Sequence, residues 1–137
     1  MKVNHFGIAV ENLEKSLELY KKMGFVPCGQ IVEDNSRNVK IIFIKNQQDY
    51  CLELIQNMDE SKPSGAKSAL LNHKTKSKHS IYHICYETTD IEKAADELKA
   101  NNIMMIANPE KAIAFNNRKV AFFVSPAIGM IELVENK

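Results

Sequence analysis

The 137-residue sequence lacks a CxxC pair, a long apolar run and an excess of charge of either sign. Without a CxxC pair nothing points to a structural zinc site, and the widely spaced Cys28, Cys51 and Cys85 do not make a disulfide framework. They indicate free thiols in a reducing cytoplasm. No apolar segment approaches the length of a membrane span, and the first six residues lack the apolar stretch of a signal peptide.

Charge excludes two classes of partner. The 18 basic and 17 acidic side chains leave a net charge of +1, which gives no electrostatic footprint for nucleic acid or an anionic membrane. The basic cluster from Asn72 to His79 is short and polar, so we expect a solvated loop there. The hydrophobic content of 45% fits one globular domain with a real core.

The two halves of the chain resemble each other at a nearly constant offset. The offset is 78 residues near each amino-terminal end and 79 residues further along. The matched segments are residues 4–7 with 82–85, 13–15 with 91–93, 40–44 with 119–123, and 52–54 with 131–133. Each half therefore contains, in the same order, a His-bearing strand, a helix, a strand pair and a Glu-bearing strand.

This order predicts an α+β fold of two tandem βαβββ modules. Module one covers residues 1–58, a linker covers 59–80 with one short helix over 66–71, and module two covers 81–137. Asn12 and Asp90 are the expected helix N-caps, and Gly24 is the expected residue after the first helix. Strands are expected over residues 5–10, 29–33, 38–45, 50–56, 119–125 and 130–135.

The repeated His and Glu residues predict a metal site. Because side chains alternate along a strand, Glu53 shares a face with Cys51 and Ile55, and Glu132 likewise stands on an apolar strand face. A lone carboxylate buried there would cost several kcal/mol, and a divalent cation removes that cost. Each His is followed by its Glu after 48 or 49 residues. Two imidazoles and two carboxylates suit Zn, Ni, Co or Mn, with Fe less favoured.

Other candidate ligands are weaker. His73 and His79 lie in the polar linker, and we expect neither to bind metal. Cys51 shares a strand face with Glu53, and Cys85 shares one with His83. These two cysteines either line the site or are small buried hydrophobic residues, and the second interpretation is favoured.

The segment from His5 to Ser16 resembles the first strand and helix of the vicinal-oxygen-chelate superfamily, also called the glyoxalase and bleomycin-resistance fold. Tyr82 to Glu87 with Asp90-Ile91, and residues 119–123 and 131–135, resemble methylmalonyl-CoA epimerases in particular. The resemblance covers nearly the whole chain. It implies a curved, barrel-like mixed sheet around a central metal cleft, with His5, Glu53, His83 and Glu132 as the ligands.

The sequence also departs from the epimerase pattern. Residues 112–117 stand where epimerases have a glycine-rich stretch, and Ser125-Pro126-Ala127 replaces a His-Pro-Lys segment. Lys40 lies near the place where some members carry a second carboxylate base. The ligand set also resembles that of bacterial glyoxalase I, although residues 7–10 lack the arginine expected there.

The resemblance implies an isomerase, epimerase or lyase that removes a proton α to a carbonyl, with a metal-stabilised enolate and Glu132 or Glu53 as general base. The expected substrate is an acyl-CoA or a 2-oxo or hydroxy compound with adjacent oxygens. Two alternatives remain, an Fe(II) dioxygenase and a non-catalytic binding or resistance protein of the same fold. Exposed edge strands, as in much of this family, suggest a homodimer.

Overall fold

The computed structural model describes residues 1–71 and 79–136, with the side chain of residue 71 left aside. The described part contains nine β-strands and three α-helices, which confirms the α+β class. The chain forms two compact units. The first-half unit is Phe6–Tyr82, and the second-half unit combines Met1–His5 with His83–Lys137. The predicted division into two modules and a linker stays a prediction.

In the first-half unit, one of two helices packs on a sheet of five strands. Its elements are most of β1 (Lys2–Val10), α1 (Leu13–Lys22), β2 (Val26–Pro27), β3 (Val32–Asp34), β4 (Val39–Lys45), β5 (Cys51–Asn57), α2 (Gly65–Leu71) and the start of β6 (His79–Thr88). Strand β4 runs antiparallel to β2, β3 and β5, whereas β5 runs parallel to β1. Leu13 and Leu17 of α1 pack with Ile42, Ile44 and Leu54 in a buried cluster. Burial of each such side chain stabilises the folded state by about 1.5–3 kcal/mol.

The second-half unit repeats this plan. Its elements are the start of β1, the rest of β6, α3 (Ile91–Ala100), β7 (Met104–Ala112), a 3-10 turn (Ile113–Phe115), β8 (Arg118–Ser125) and β9 (Gly129–Glu135). Strand β9 runs parallel to β6 and antiparallel to β8, and β8 is antiparallel to β7. Ile91, Ala94 and Ala95 of α3 pack with the fully buried Phe123 and Leu133.

Helices α1 and α3 begin where the sequence predicts. The side chain of Asn12 accepts a hydrogen bond from the backbone N of Lys15, and Asp90 accepts one from Lys93, each at 3.0 Å. After α1 the backbone of Gly24 has φ +90°, a left-handed conformation that glycine adopts without strain. The predicted caps and the predicted end of α1 are therefore confirmed.

One ion pair recurs at matched positions in both units. Lys40 donates to Oε1 of Glu14 and Lys119 donates to Oε1 of Glu92, in both cases at 2.7 Å. In each unit a lysine at the start of a central strand reaches the first turn of the helix that covers it. The pair follows the internal repeat of the sequence.

Several strands differ from the expectations. Strand β7 was not located in the sequence, because Asn108-Pro109 and two irregularities in its pairing with β8 break its alternation. Strand β6 begins at His79, inside the predicted linker, and β3 covers Val32–Asp34 rather than residues 29–33. Most of the predicted basic loop, including His73, lies outside the described residues. No helix in the described ranges is long and apolar enough to cross a membrane.

Candidate metal centre

Three of the four predicted ligands belong to the second-half unit. His5 lies in β1, His83 in β6 and Glu132 in β9. Strands β6 and β9 are parallel neighbours with Cys85 opposite Glu132, so His83 stands two residues from the register position of the carboxylate. Alternation along β6 buries both His83 and Cys85, which lie on the same strand face.

The polar atoms of these three side chains converge. The Nε2 atoms of His5 and His83 lie 3.1 Å apart. Oε2 of Glu132 lies 3.3 Å from Nε2 of His5 and 3.2 Å from Nε2 of His83. The three residues are only 1%, 2% and 3% exposed, in the order His5, His83 and Glu132. Three groups that are usually solvated are therefore buried against one another.

The surroundings of Glu132 keep its carboxylate ionised. Burial alone would raise the pKa of Glu132, but the two imidazoles beside its carboxylate outweigh burial and hold the pKa below its ordinary value. The same oxygen, Oε2, makes no hydrogen bond of good geometry to either ring. A buried anionic oxygen close to two imidazole nitrogens is a donor set that favours a cation.

The spacing of the three atoms fits a divalent metal ion. For metal–ligand bonds of about 2.1 Å, neighbouring ligand atoms lie about 3.0 Å apart at octahedral angles and about 3.4 Å apart at tetrahedral angles. The three observed separations, from 3.1 to 3.3 Å, fall within this range. Imidazole and carboxylate groups are ligands for Zn, Ni, Co, Mn and Fe. The three atoms are therefore spaced as ligands of one divalent ion are.

Two aromatic rings line the histidines. The ring of Phe115 lies 5.6 Å from that of His5, and the ring of Phe122 lies edge-on to His83 at 5.5 Å between centroids. Phe122 is also the register partner of Glu132 in the pairing of β8 with β9. These rings lower the local dielectric constant, which strengthens every charge interaction among the polar groups.

The fourth predicted ligand, Glu53, lies in the first-half unit. It stands on β5, where it pairs with Phe43 of β4 and Gly7 of β1, and it is 3% exposed. A carboxylate this deeply buried needs compensating partners.

Lys40, near the place where some members carry a second carboxylate base, points toward α1. It shares a strand face with Ile42 and Ile44, which pack toward α1, and it is held by Glu14.

Whether Cys51 and Cys85 line the site or are buried hydrophobic residues stays a prediction, and Cys51 is only partly buried. Burial raises the pKa of Cys51 to about 11, so its thiol stays protonated and is a poor metal ligand. Cys85 is fully buried and Cys28 is exposed, and all three cysteines are free. His79 is exposed at the start of β6.

Sequence reasoning missed the residues that surround the ligands. Phe115, Phe122, Asn4 and Glu87 all lie beside His5 or His83, or connect to them through hydrogen bonds. Asn4 directly precedes His5, and this adjacency was the one available signal. The other contacts join residues far apart in sequence, where strand alternation says nothing about neighbours.

Comparison with known proteins finds one matching superfamily and relatives that are epimerases. Residues 4–122 match the family model described as Glyoxalase/Bleomycin resistance protein/Dioxygenase superfamily. The chain is 30% identical over 137 residues to the mitochondrial methylmalonyl-CoA epimerase of Dictyostelium discoideum, covering 98% of this chain and 78% of that protein. It is 28% identical over 121 residues to the ethylmalonyl-CoA/methylmalonyl-CoA epimerase of Cereibacter sphaeroides, covering 88% and 86%.

A solved structure shares the fold over the whole chain. A variant of the Streptomyces coelicolor methylmalonyl-CoA epimerase, in complex with 2-nitronate-propionyl-CoA, matches with a TM-score of 0.79. The match covers 99% of this chain and 97% of that one at 18% identity. At that identity the likeness concerns the fold, whereas the two sequence relatives are epimerases, which are isomerases.

Proposed function

Because this chain belongs to the glyoxalase/bleomycin resistance protein/dioxygenase superfamily, we propose that it is a metal-dependent isomerase, epimerase or lyase. The proposed reaction begins with removal of a proton α to a carbonyl and is similar to that of methylmalonyl-CoA epimerases or of glyoxalase I. The observation that carries the proposal is the buried group of His5, His83 and Glu132, whose ligand atoms converge at metal-shell spacing.

The proposed ligand set is His5, Glu53, His83 and Glu132. Support for Glu53 comes from strand register, since Gly7 is its partner on β1 and His5 lies two residues before Gly7 on the same strand face. Its burial supports the same role, because a cation offsets the cost of a buried carboxylate. When bound, a divalent ion supplies Lewis-acid polarisation of a carbonyl oxygen.

The chain's own residues would handle the proton. A carboxylate oxygen of Glu132 or Glu53 takes the α-proton, the C–H electron pair becomes a carbon–carbon double bond, and the carbonyl π pair moves to oxygen to give the enolate. Inversion of the carbon then requires that a proton reach the opposite face of the enolate, from solvent or from the other glutamate in its protonated form. In acting as the base, Glu132 or Glu53 would leave the proposed ligand set.

The names of the relatives support a substrate class. Those at 30% and 28% identity are named for methylmalonyl-CoA and ethylmalonyl-CoA, so an acyl-CoA with an acidic α-carbon is the first candidate. A 2-oxo or hydroxy compound, such as a hemithioacetal, is the second, because two carboxylates and two imidazoles also suit that chemistry. Zn, Ni, Co and Mn are the candidate ions, and Fe is less favoured.

The experiment is α-proton exchange in D2O. Protein loaded separately with Zn, Co, Ni or Mn is mixed with methylmalonyl-CoA or with the hemithioacetal of methylglyoxal and glutathione. Mass spectrometry and NMR then follow deuterium incorporation. We expect exchange with at least one metal, and a loss of at least about a hundredfold in Glu132→Gln, since a general base contributes that much. Glu92→Gln, a charge-matched change in α3, should keep the wild-type rate. No exchange with any metal on either substrate would refute the proposal.

The proposal includes an oligomeric state and a cellular location. We infer a homodimer from the exposed strand β7, where Met104 and Ile106 are 62% and 48% exposed. Analytical ultracentrifugation of the whole protein tests this, and a monomer at micromolar concentration would contradict it. We infer a cytoplasmic location from the three free cysteines.

A further inference from the structure

A chain of hydrogen bonds leaves the candidate metal centre from the far side of His5. Nδ1 of His5 lies 2.9 Å from Oδ1 of Asn4. Nδ2 of Asn4 donates to Oε1 of Glu87 at 2.8 Å, and the other oxygen of Glu87 accepts from Nδ2 of Asn136 at 3.0 Å. The chain links a proposed ligand to a carboxylate that is 82 residues away in sequence.

The direction of each bond in this chain is fixed by Glu87. An ionised carboxylate accepts hydrogen bonds and donates none. Hydrogen bonds from Asn136 and from Asn4 hold the pKa of Glu87 below its ordinary value, so it is ionised at neutral pH. Asn4 must therefore turn its NH2 group toward Glu87, which turns its carbonyl oxygen toward His5. A carbonyl oxygen accepts, so Nδ1 of His5 must carry the proton.

We propose that Asn4 and Glu87 are positioning residues that hold His5 in the Nδ1–H tautomer, with the lone pair of Nε2 directed at the metal. This inference rests on the proposed metal site. Histidine ligands are commonly held by a hydrogen bond from the ring nitrogen that does not bind metal, and this bond fixes the tautomer and the ring orientation. Here the acceptor is the neutral amide of Asn4, and Glu87 sets the orientation of that amide.

The inference explains why a carboxylate rather than an amide stands at position 87. A glutamine there could either donate to Asn4 or accept from it, so the Asn4 amide would be free to turn over. Its NH2 group would then face His5, which favours the Nε2–H tautomer and blocks the nitrogen that lies 3.3 Å from Glu132. The substitution Glu87→Gln therefore tests orientation with little change in size.

Three matched variants separate this role from a merely structural one. Asn4→Ala removes the acceptor itself, and serves as the second test should Glu87→Gln fold poorly. Asn136→Ala takes one donor from Glu87 but leaves the bond to Asn4, so we expect it to keep the tautomer. Glu92→Gln makes the same chemical change as Glu87→Gln at an exposed ion pair on α3. Thermal melting followed by circular dichroism checks that each variant is folded.

The experiment has two readouts. Two-bond 1H–15N NMR of the metal-free protein reports which ring nitrogen of His5 carries the proton, and competition with a chromophoric chelator reports Zn2+ affinity. We expect the Nδ1–H tautomer in wild type, Asn136→Ala and Glu92→Gln. In Glu87→Gln and Asn4→Ala we expect a substantial Nε2–H population and Zn2+ affinity at least about tenfold weaker.

Two results would distinguish a failure of the positioning role from a failure of the metal site. Folded Glu87→Gln and Asn4→Ala proteins with an unchanged tautomer and unchanged Zn2+ affinity would overturn the positioning role and leave the metal site standing. Wild-type protein that binds no Zn2+ would overturn the metal site. The tautomer comparison alone would then decide whether Glu87 orients Asn4 and His5.

Discussion

The Nε2 atoms of His5 and His83 lie 3.1 Å apart, although the two residues are separated by 78 positions in the chain. Oε2 of Glu132 lies within 3.3 Å of both. All three atoms are potential metal ligands, and their side chains are almost completely buried. That combination is unfavourable for the protein alone and favourable around a divalent cation, and each part of the proposed function depends on it.

Removing one imidazole should abolish tight metal binding. In His83→Ala the metal loses a nitrogen ligand, and we expect Zn2+ affinity to fall more than about a hundredfold, beyond the loss typical of a residue outside the first ligand shell. Isothermal titration calorimetry measures it. His79→Ala, four residues earlier on the same strand but exposed, is the control and should bind like wild type. Equal affinity in the two variants would remove His83 from the ligand set.

The two helix caps should contribute equally to stability. Asn12 and Asp90 occupy matched positions and each accepts a backbone hydrogen bond at 3.0 Å. Asn12→Ala and Asp90→Ala should each lower the free energy of unfolding by about 1 kcal/mol, measured by urea denaturation. Asn12→Ser keeps a capping oxygen and should stay close to wild type. A loss in Asn12→Ser as large as that in Asn12→Ala would show that capping is not the cause.

Stability should depend on pH through Asp34. Burial raises the pKa of Asp34, but hydrogen bonds from Ser36 and Arg37 and the Arg37 charge outweigh it, so the folded-state pKa lies below the ordinary value. A depressed pKa stabilises the fold above the unfolded-state pKa of about 3.9, and that stabilisation is lost as pH falls through the folded value.

Asp34→Asn should therefore cost about 1–2 kcal/mol at pH 7, and the difference from wild type should shrink as pH falls below about 4. Urea midpoints at pH 7, 4 and 3 measure it. Asp96→Asn breaks an exposed ion pair with Lys99 and should cost under about 1 kcal/mol. A difference for Asp34→Asn that grows as pH falls would contradict the assignment.

The internal repeat is the reason that so much could be predicted from one sequence. Matching His5 with His83, and Glu53 with Glu132, replaces an alignment, because each half is evidence for the other. The caps at Asn12 and Asp90 could be predicted because capping is a local property of the chain.

What could not be predicted depends on contacts between distant residues. Glu87 reaches Asn4 across 83 positions, and no periodicity reports such a hydrogen bond. Phe115 reaches His5 from a 3-10 turn, whose side chains follow neither the strand nor the helix period. Strand β7 was missed because Pro109 and two pairing irregularities interrupt the alternation that identifies a strand.

The most direct test of the central claim is a crystal structure of the whole protein soaked with Zn2+, with anomalous data collected at the zinc edge. We predict one anomalous peak about 2.0–2.2 Å from Nε2 of His5, Nε2 of His83 and carboxylate oxygens of Glu53 and Glu132. A peak that lies elsewhere on the protein, or no peak at these four side chains at saturating Zn2+, would contradict the account.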